Sequence, residues 1–168
     1  MADGPTPIDY AFQIAYRVAH RMLRFYWGLR RPRKGGTLVA VWNGGEILIV
    51  KNTYRKEHTL PGGYPHSGET PAQTGARELT EECGVKLPPE RFREALRAEY
   101  LFEGRIDDVT IVEVELAERV SINVDHREVA YARFMPPSEV LLLAIVPHLR
   151  DYLKARVGSS AAAPASAP

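Results

Sequence analysis

Glu78, Glu81 and Glu82 stand at i, i+3 and i+4 in a segment that reads as helix, so three carboxylates share one face within side-chain reach. Like charges at these spacings destabilise a helix by about 0.3 kcal/mol per pair, and a cation is the natural compensation. The donors are all oxygen, with no His or Cys beside them, which suits Mg²⁺, or Mn²⁺ in its place, better than zinc. Mg²⁺ keeps positions open for phosphate oxygens, so the chemistry indicated is that of phosphate. A solvated helix face would carry the same glutamates; the distinguishing feature is what precedes them. Leu60-Pro61-Gly62-Gly63 forms a turn whose glycines let backbone approach a ligand, and Gly68 and Glu69 follow before the helix.

The elements that must position these groups are legible in part. Thr70 caps a helix that starts at Pro71, runs to Cys83 and is stopped by Gly84. Before it, β-branched runs at 37–42 and 46–51 flank Asn43-Gly44-Gly45 and predict a hairpin. After it come predicted strands at 95–102, 109–116 and 130–135 and a predicted helix from 138 to 157. At the other end, residues 1–9 read as a flexible leader. A helix is predicted over Tyr10–Leu29, with Phe12, Ala15, Ala19, Met22, Leu23 and Tyr26 at helical spacing and Arg17, Arg21 and Arg24 on another face. Residues 31–36 read as its connection, and 158–168 as a disordered Ala/Ser/Pro tail.

Gly63, Glu69, Arg77, Glu78, Leu79, Glu81, Glu82, Gly84 and Val85 match position by position the signature of the Nudix hydrolases, and the chain resembles that family. The resemblance implies an α/β fold, an α/β/α sandwich around a mixed β-sheet, for residues 37–157, with the N-terminal basic amphipathic helix (10–36) as an addition. It also implies Mg²⁺-dependent or Mn²⁺-dependent hydrolysis of a nucleoside diphosphate linked to another moiety. Carried over, the metal ligands are Glu78, Glu81, Glu82, the Gly62 carbonyl and a later acid. Glu128 is assigned as that acid ahead of Asp107, Asp108 and Asp125. Arg77 would support the site by pairing with Glu69, although an i+4 pair with Glu81 fits the spacing equally well. Gly63, Tyr54, Arg55 and His58 are the expected substrate contacts, and Glu78 is a candidate base.

The chain also departs from the family pattern. His58 stands where many relatives carry Trp, Tyr100 only approximates the tyrosine associated with dinucleoside polyphosphates, and Pro88-Pro89 lies too near the signature for the ADP-ribose pattern. Nucleoside triphosphates and nucleotide sugars are therefore favoured. The competing readings are a non-catalytic nucleotide-binding or regulatory module and a membrane-surface hydrolase of a lipid-linked diphosphate.

Composition bounds these readings. With 168 residues, 45% hydrophobic and 26% charged, the chain has the proportions of one globular domain. A net charge of +1 gives no global field for nucleic acid. The single cysteine, Cys83, flanked by acids, reads as a packing residue and fits a reducing, cytoplasmic setting. Arg17, Arg21 and Arg24 interrupt the most apolar early segment, so no run reaches the about 18 residues of a spanning helix, and the same arginines break up any signal-peptide core. Charge is nonetheless segregated: from Tyr10 to Gly45 every charged residue is Lys or Arg. The apolar face of the first helix is read as packing on the domain or on a second copy in a homodimer, in preference to an anionic membrane surface.

Overall fold

The computed structural model describes residues 5–30, 33–124 and 126–161. The elements run α1 (Pro7–Arg30), β1 (Arg33–Asn43), β2 (Glu46–Asn52), β3 (Gly62–Gly63), α2 (Pro71–Cys83), a 3-10 turn (Pro89–Arg91), β4 (Arg93–Phe102), β5 (Arg105–Leu116), β6 (Val129–Met135), α3 (Pro137–Val140) and α4 (Pro147–Ala161). One mixed sheet has the order β4-β5-β1-β2-β6, with the short β3 paired to β1. β1 and β5 are parallel, and the other pairings are antiparallel.

Alternation along β1 and β2 explains the layering. Val39, Val41, Leu48 and Val50 face one way and meet Leu79 and Cys83 of α2, whereas Ala40, Trp42, Ile47 and Ile49 face the other and meet Leu149 and Leu153 of α4. A sheet apolar on both faces must be covered on both, which gives the expected α/β/α sandwich. The β1–β2 hairpin turns at Gly44 and Gly45, with φ of 57° and 83°, the conformation that favours glycine in a two-residue turn.

α2 forms where its capping signals place it. The Thr70 side chain accepts from the Gln73 N–H while Gln73 reaches back to the Thr70 backbone, Pro71 opens the helix, and Gly84 at φ 69° closes it. Gly75 lets α2 lie close to the sheet, because a Cβ there would stand 2.9 Å from Val112 Cγ2 and 3.0 Å from Val39 Cγ2. Cys83 is fully buried against this layer, and burial first, then the Glu82 charge, pushes its thiol up to about 12, which makes it a packing residue.

Three expectations are corrected. α1 starts at Pro7 rather than Tyr10, because Thr6 and Asp9 cap each other: the Thr6 N–H and hydroxyl both donate to Asp9 Oδ2. The single helix predicted over 138–157 is two helices. Pro147 cannot continue a helix from residue 143, and the intervening segment pairs with the chain at His58, whose N–H donates to Ala144 O and whose carbonyl accepts from Val146. α4 then continues to Ala161, into the segment read as tail; residues 162–168, like 1–4, 31, 32 and Asp125, lie outside the described residues.

The third correction concerns the orientation of α1. Its buried residues are Asp9, Gln13, His20 and Trp27. Gln13 donates to His126 O, Arg127 donates to Asp9, Arg17 donates to Thr53 O and His20 lies 3.3 Å from Glu103. The polar stripe docks on the domain and the apolar stripe faces outward, so of the expected partners for the apolar stripe the domain itself is removed. No described helix is long and apolar enough to cross a membrane.

Candidate active site

A cleft of about 290 Å³ opens where β3, the N-terminal half of β5 and the loop after β2 meet the inner face of α2. Its lining includes the carboxylates Glu78, Glu82, Glu128 and Asp107 together with Tyr54, Arg55, Tyr64, Arg105 and His148. The cleft thus combines carboxylates with hydrogen-bond donors and aromatic rings.

Each carboxylate is held by an identifiable group. Glu82 is 8% exposed, and its Oε2 accepts from the Gly62 N–H at 3.0 Å, so the glycine turn orients it. Glu78 is packed against Gly63, where a Cβ would stand 2.3 Å from its Oε1. Burial raises the Glu78 pKa, against the hydrogen bond from Arg77 that lowers it, and the charges of Glu81 and Glu128 add to the rise. Glu128 accepts from the Tyr54 hydroxyl at 2.9 Å.

Arg77 organises the outer rim. It donates to Glu69 from Nε (3.0 Å) and Nη2 (3.2 Å), to Glu78 (2.8 Å), to Glu81 (3.1 Å) and to the Tyr64 carbonyl (2.9 Å). Both sequence readings of Arg77 are therefore present at once. Glu69 also accepts from the His66 N–H and the Thr74 hydroxyl, and these bonds, the one from Arg77 foremost, hold its carboxyl at about 2. Glu81, 57% exposed in its side chain, is drawn to Arg77 and is absent from the cleft lining.

The donor set fits a hard divalent cation in its chemistry. Among the described residues, no three of the His, Cys, Asp and Glu side chains already converge on one point. Glu78, Glu82 and Glu128 nonetheless face a common cleft, and Mg²⁺ binds through one or two carboxylates plus water and substrate phosphate rather than a complete protein cage.

Other predicted residues fall as follows. Tyr54 and Arg55 line the cleft, Arg55 paired with Glu103 at 3.4 Å. His58 does not line it. The bridge to Ile145 turns its ring toward Tyr131 Oη (2.6 Å) and Ala144 O (3.2 Å), where it fastens the loop before α4. Asp107 lines the cleft in a buried pair with Arg105, and Asp108 pairs with Arg97 outside it. Tyr100, Pro88 and Pro89 are likewise outside the lining.

Sequence reasoning missed Arg105 and His148. The Arg105 guanidinium lies 3.9 Å over the Trp27 ring, and Tyr16 stacks on Tyr54, so α1 supports the cleft wall from behind. Among the described residues, the buried side-chain nitrogen or oxygen atoms without a protein partner are Arg55 Nε, Arg105 Nη1 and His148 Nδ1, and all three residues line this cleft. Such groups are costly to leave unpaired, and these three belong to residues of one cleft wall. A signal for Arg105 was present: strand alternation puts Arg105 and Asp107 on the face of Val109 and Ile111, two charges at the end of an apolar row.

His148 gives a pH prediction. Burial first, then Arg55 and Arg105, press its imidazole down to about 4 from 6.5. Between these values the unfolded chain binds a proton that the folded chain refuses, so stability is fully present above about 6.5 and declines as pH falls toward 4, by about 3 kcal/mol. Urea midpoints measured from pH 7 to 4.5 should fall in the wild type and fall distinctly less in His148→Gln; equal slopes would assign the effect to another group.

A profile of the NUDIX domain matches residues 32–155, three quarters of the chain. The chain belongs to the Nudix family. A Nudix relative from Bacillus subtilis (strain 168), named ADP-ribose pyrophosphatase, is 36% identical over 110 residues, covering 62% of this chain and 56% of that protein. The match thus spans little more than half the length of that relative. Among solved structures, the MutT protein from Methanosarcina mazei Go1 superposes with a TM-score of 0.67 at 16% identity, covering 79% of this chain and 98% of that one. The Ap4A hydrolase of C. elegans gives 0.64 at 18% identity, covering 76% and 98%. At such identities the likeness is one of fold. α1, from Pro7 to Arg30, precedes the matched Nudix segment.

Proposed function

We propose that this Nudix protein is a Mg²⁺-dependent pyrophosphohydrolase of a nucleoside diphosphate linked to a second moiety, with nucleotide sugars, ADP-ribose among them, as the leading class. The observation that carries the reading is the lining of one cleft, which brings Glu78, Glu82 and Glu128 together with Tyr54, Arg55, Tyr64, Arg105 and His148. The relative named for ADP-ribose supports the substrate class.

Glu78, Glu82 and Glu128 would hold the metal, with the Gly62 carbonyl as a further donor. Bound there, Mg²⁺ supplies neutralisation of the diphosphate charge and a water of lowered pKa. Gly62 fixes Glu82, Tyr54 fixes Glu128, and Arg77 turns Glu78, so the carboxylates keep their places before substrate arrives. The guanidinium groups of Arg55 and Arg105 supply positive charge to the cleft wall for the diphosphate, and Tyr54 and Tyr64 offer ring faces to a base or sugar. Water oxygen bonds to phosphorus, the anhydride P–O bond breaks, and the proton released passes to a cleft carboxylate. The products are a nucleoside monophosphate and the phosphorylated second moiety.

The test is phosphorus NMR of full-length protein with Mg²⁺ against ADP-ribose, other nucleotide sugars, nucleoside triphosphates and dinucleoside polyphosphates, each repeated with EDTA. EDTA-sensitive release of a nucleoside monophosphate is expected, fastest from a nucleotide sugar. Folded protein that binds these nucleotides yet releases nothing would overturn the enzyme reading in favour of a binding module.

A further inference from the structure

The outward face of α1 is a separate feature that the cleft does not use. Ile8, Ile14, Val18, Met22, Phe25 and Leu29 are 64%, 60%, 55%, 69%, 82% and 77% exposed. At about 100° per residue they fall within one arc of roughly 120°, directly opposite the docked row of Asp9, Gln13, His20 and Trp27. The helix is 24 residues long, so the strip extends for about 36 Å. Monomeric proteins seldom leave so long a contiguous apolar strip in water.

Charge selects the occupant. α1 carries Arg17, Arg21, Arg24 and Arg30, with Arg21 and Arg30 bordering the apolar arc on opposite sides. Its one acid, Asp9, is buried against the domain and taken by Thr6 and Arg127. An apolar strip edged by arginine and free of exposed carboxylate complements a surface that is apolar beneath an anionic layer. A two-fold pair of such helices would bring arginine-edged strips together with no carboxylate on either to answer them. A spanning role is unavailable to a helix with four arginines.

We propose that α1 is an interfacial helix that lies in the surface of an anionic lipid bilayer and holds the Nudix domain there by its opposite, polar face. This attachment is independent of which diphosphate the cleft hydrolyses. Because Gln13, His20 and Trp27 are committed to the domain, α1 binds lipid as a fixed part of the protein's surface, without having to unfold or detach first.

Co-sedimentation of the full chain with vesicles of phosphatidylcholine alone, and of phosphatidylcholine with about 30% phosphatidylserine, tests this. Partition onto the anionic vesicles should be at least about tenfold higher, and should weaken as salt rises. Val18→Glu/Phe25→Glu alters only exposed positions on the outward arc, so the thermal midpoint should hold while partition falls to the phosphatidylcholine level. Absence of pelleting, or equal pelleting of wild type and double variant, would overturn the proposal. A concentration-dependent dimer in sedimentation velocity that the double variant abolishes, with no vesicle binding, would overturn it in favour of a second copy.

Discussion

Glu82→Gln is expected to lower turnover by about a thousandfold or more while the thermal midpoint stays within a few degrees of wild type. The amide keeps the shape of the carboxylate and can still accept from the Gly62 N–H, so the turn that holds it survives. What it loses is a full charge at a nearly buried position facing the cleft, where the proposed Mg²⁺ would depend on ligand charge. Removing a negative charge near Glu78 and Glu128 also relieves repulsion, which keeps the stability change small. Glu81→Gln is the internal control: its carboxylate is exposed and tied to Arg77, and its loss should cost distinctly less, through Arg77. Steady-state kinetics with saturating Mg²⁺, beside calorimetry on the same samples, decides the matter. A Glu82 variant within tenfold of wild type, with Glu81→Gln dead, would exchange the two roles.

Gly62→Ala should be the most damaging single methyl group in the protein. Gly62 has φ 149°, and a Cβ there would stand 2.2 Å from Thr37 O and 2.8 Å from Leu38 Cα, both backbone atoms of β1 that cannot rotate away. Overpacking and backbone strain together cost about 3 kcal/mol or more, which should lower the midpoint by about 10 °C. Activity should fall with it, because the same residue orients Glu82. Gly63→Ala makes the comparison informative: the three atoms nearest its new methyl all belong to the Glu78 carboxylate, the end of a flexible side chain. That variant should keep most of its stability and lose activity, separating the structural from the chemical role of the paired glycines. A Gly62 variant as stable as wild type would show that β3 can move off β1 at little cost.

How much of this was legible in the sequence depends on how local each determinant is. The ends of α2 follow from Thr70, Gln73, Pro71 and Gly84, each acting on its own neighbours, and the helix lies where those residues put it. The break between α3 and α4 is announced by Pro147 but stabilised by His58, nearly ninety positions earlier, and that partnership is tertiary. Periodicity along α1 identified an apolar and a polar stripe without saying which is buried. That choice belongs to Glu103, Arg127 and two backbone carbonyls on other elements, which offer the polar stripe specific bonds. Glu78, Glu82 and Glu128 were readable by resemblance, and the structure brings them to one cleft. His148 was not, because it is unremarkable until α4 carries it to Arg55 and Arg105, and Arg105 left only the trace of a charge at the end of an apolar row.

The parallel ladder between β1 and β5 also sets the order in which the molecule can be completed as it is made. Arg33 lies opposite Ile106 and Asn43 opposite Leu116, so every bond of this ladder closes most of the domain as a loop, whereas β1 and β2 meet across a two-residue turn. Long-range parallel pairing is slow to form, and a ribosome delivers roughly 5–20 residues per second. For some seconds, then, α2 exists with its cap, its three glutamates and its apolar stripe before β5 is available to finish the sheet beneath it. Glu128 and His148 arrive later still, so the carboxylates and the nitrogens first share a cleft only when the last helix docks. A nascent chain arrested between Val85 and α4 would hold the whole family signature and yet have no complete pocket in which to use it.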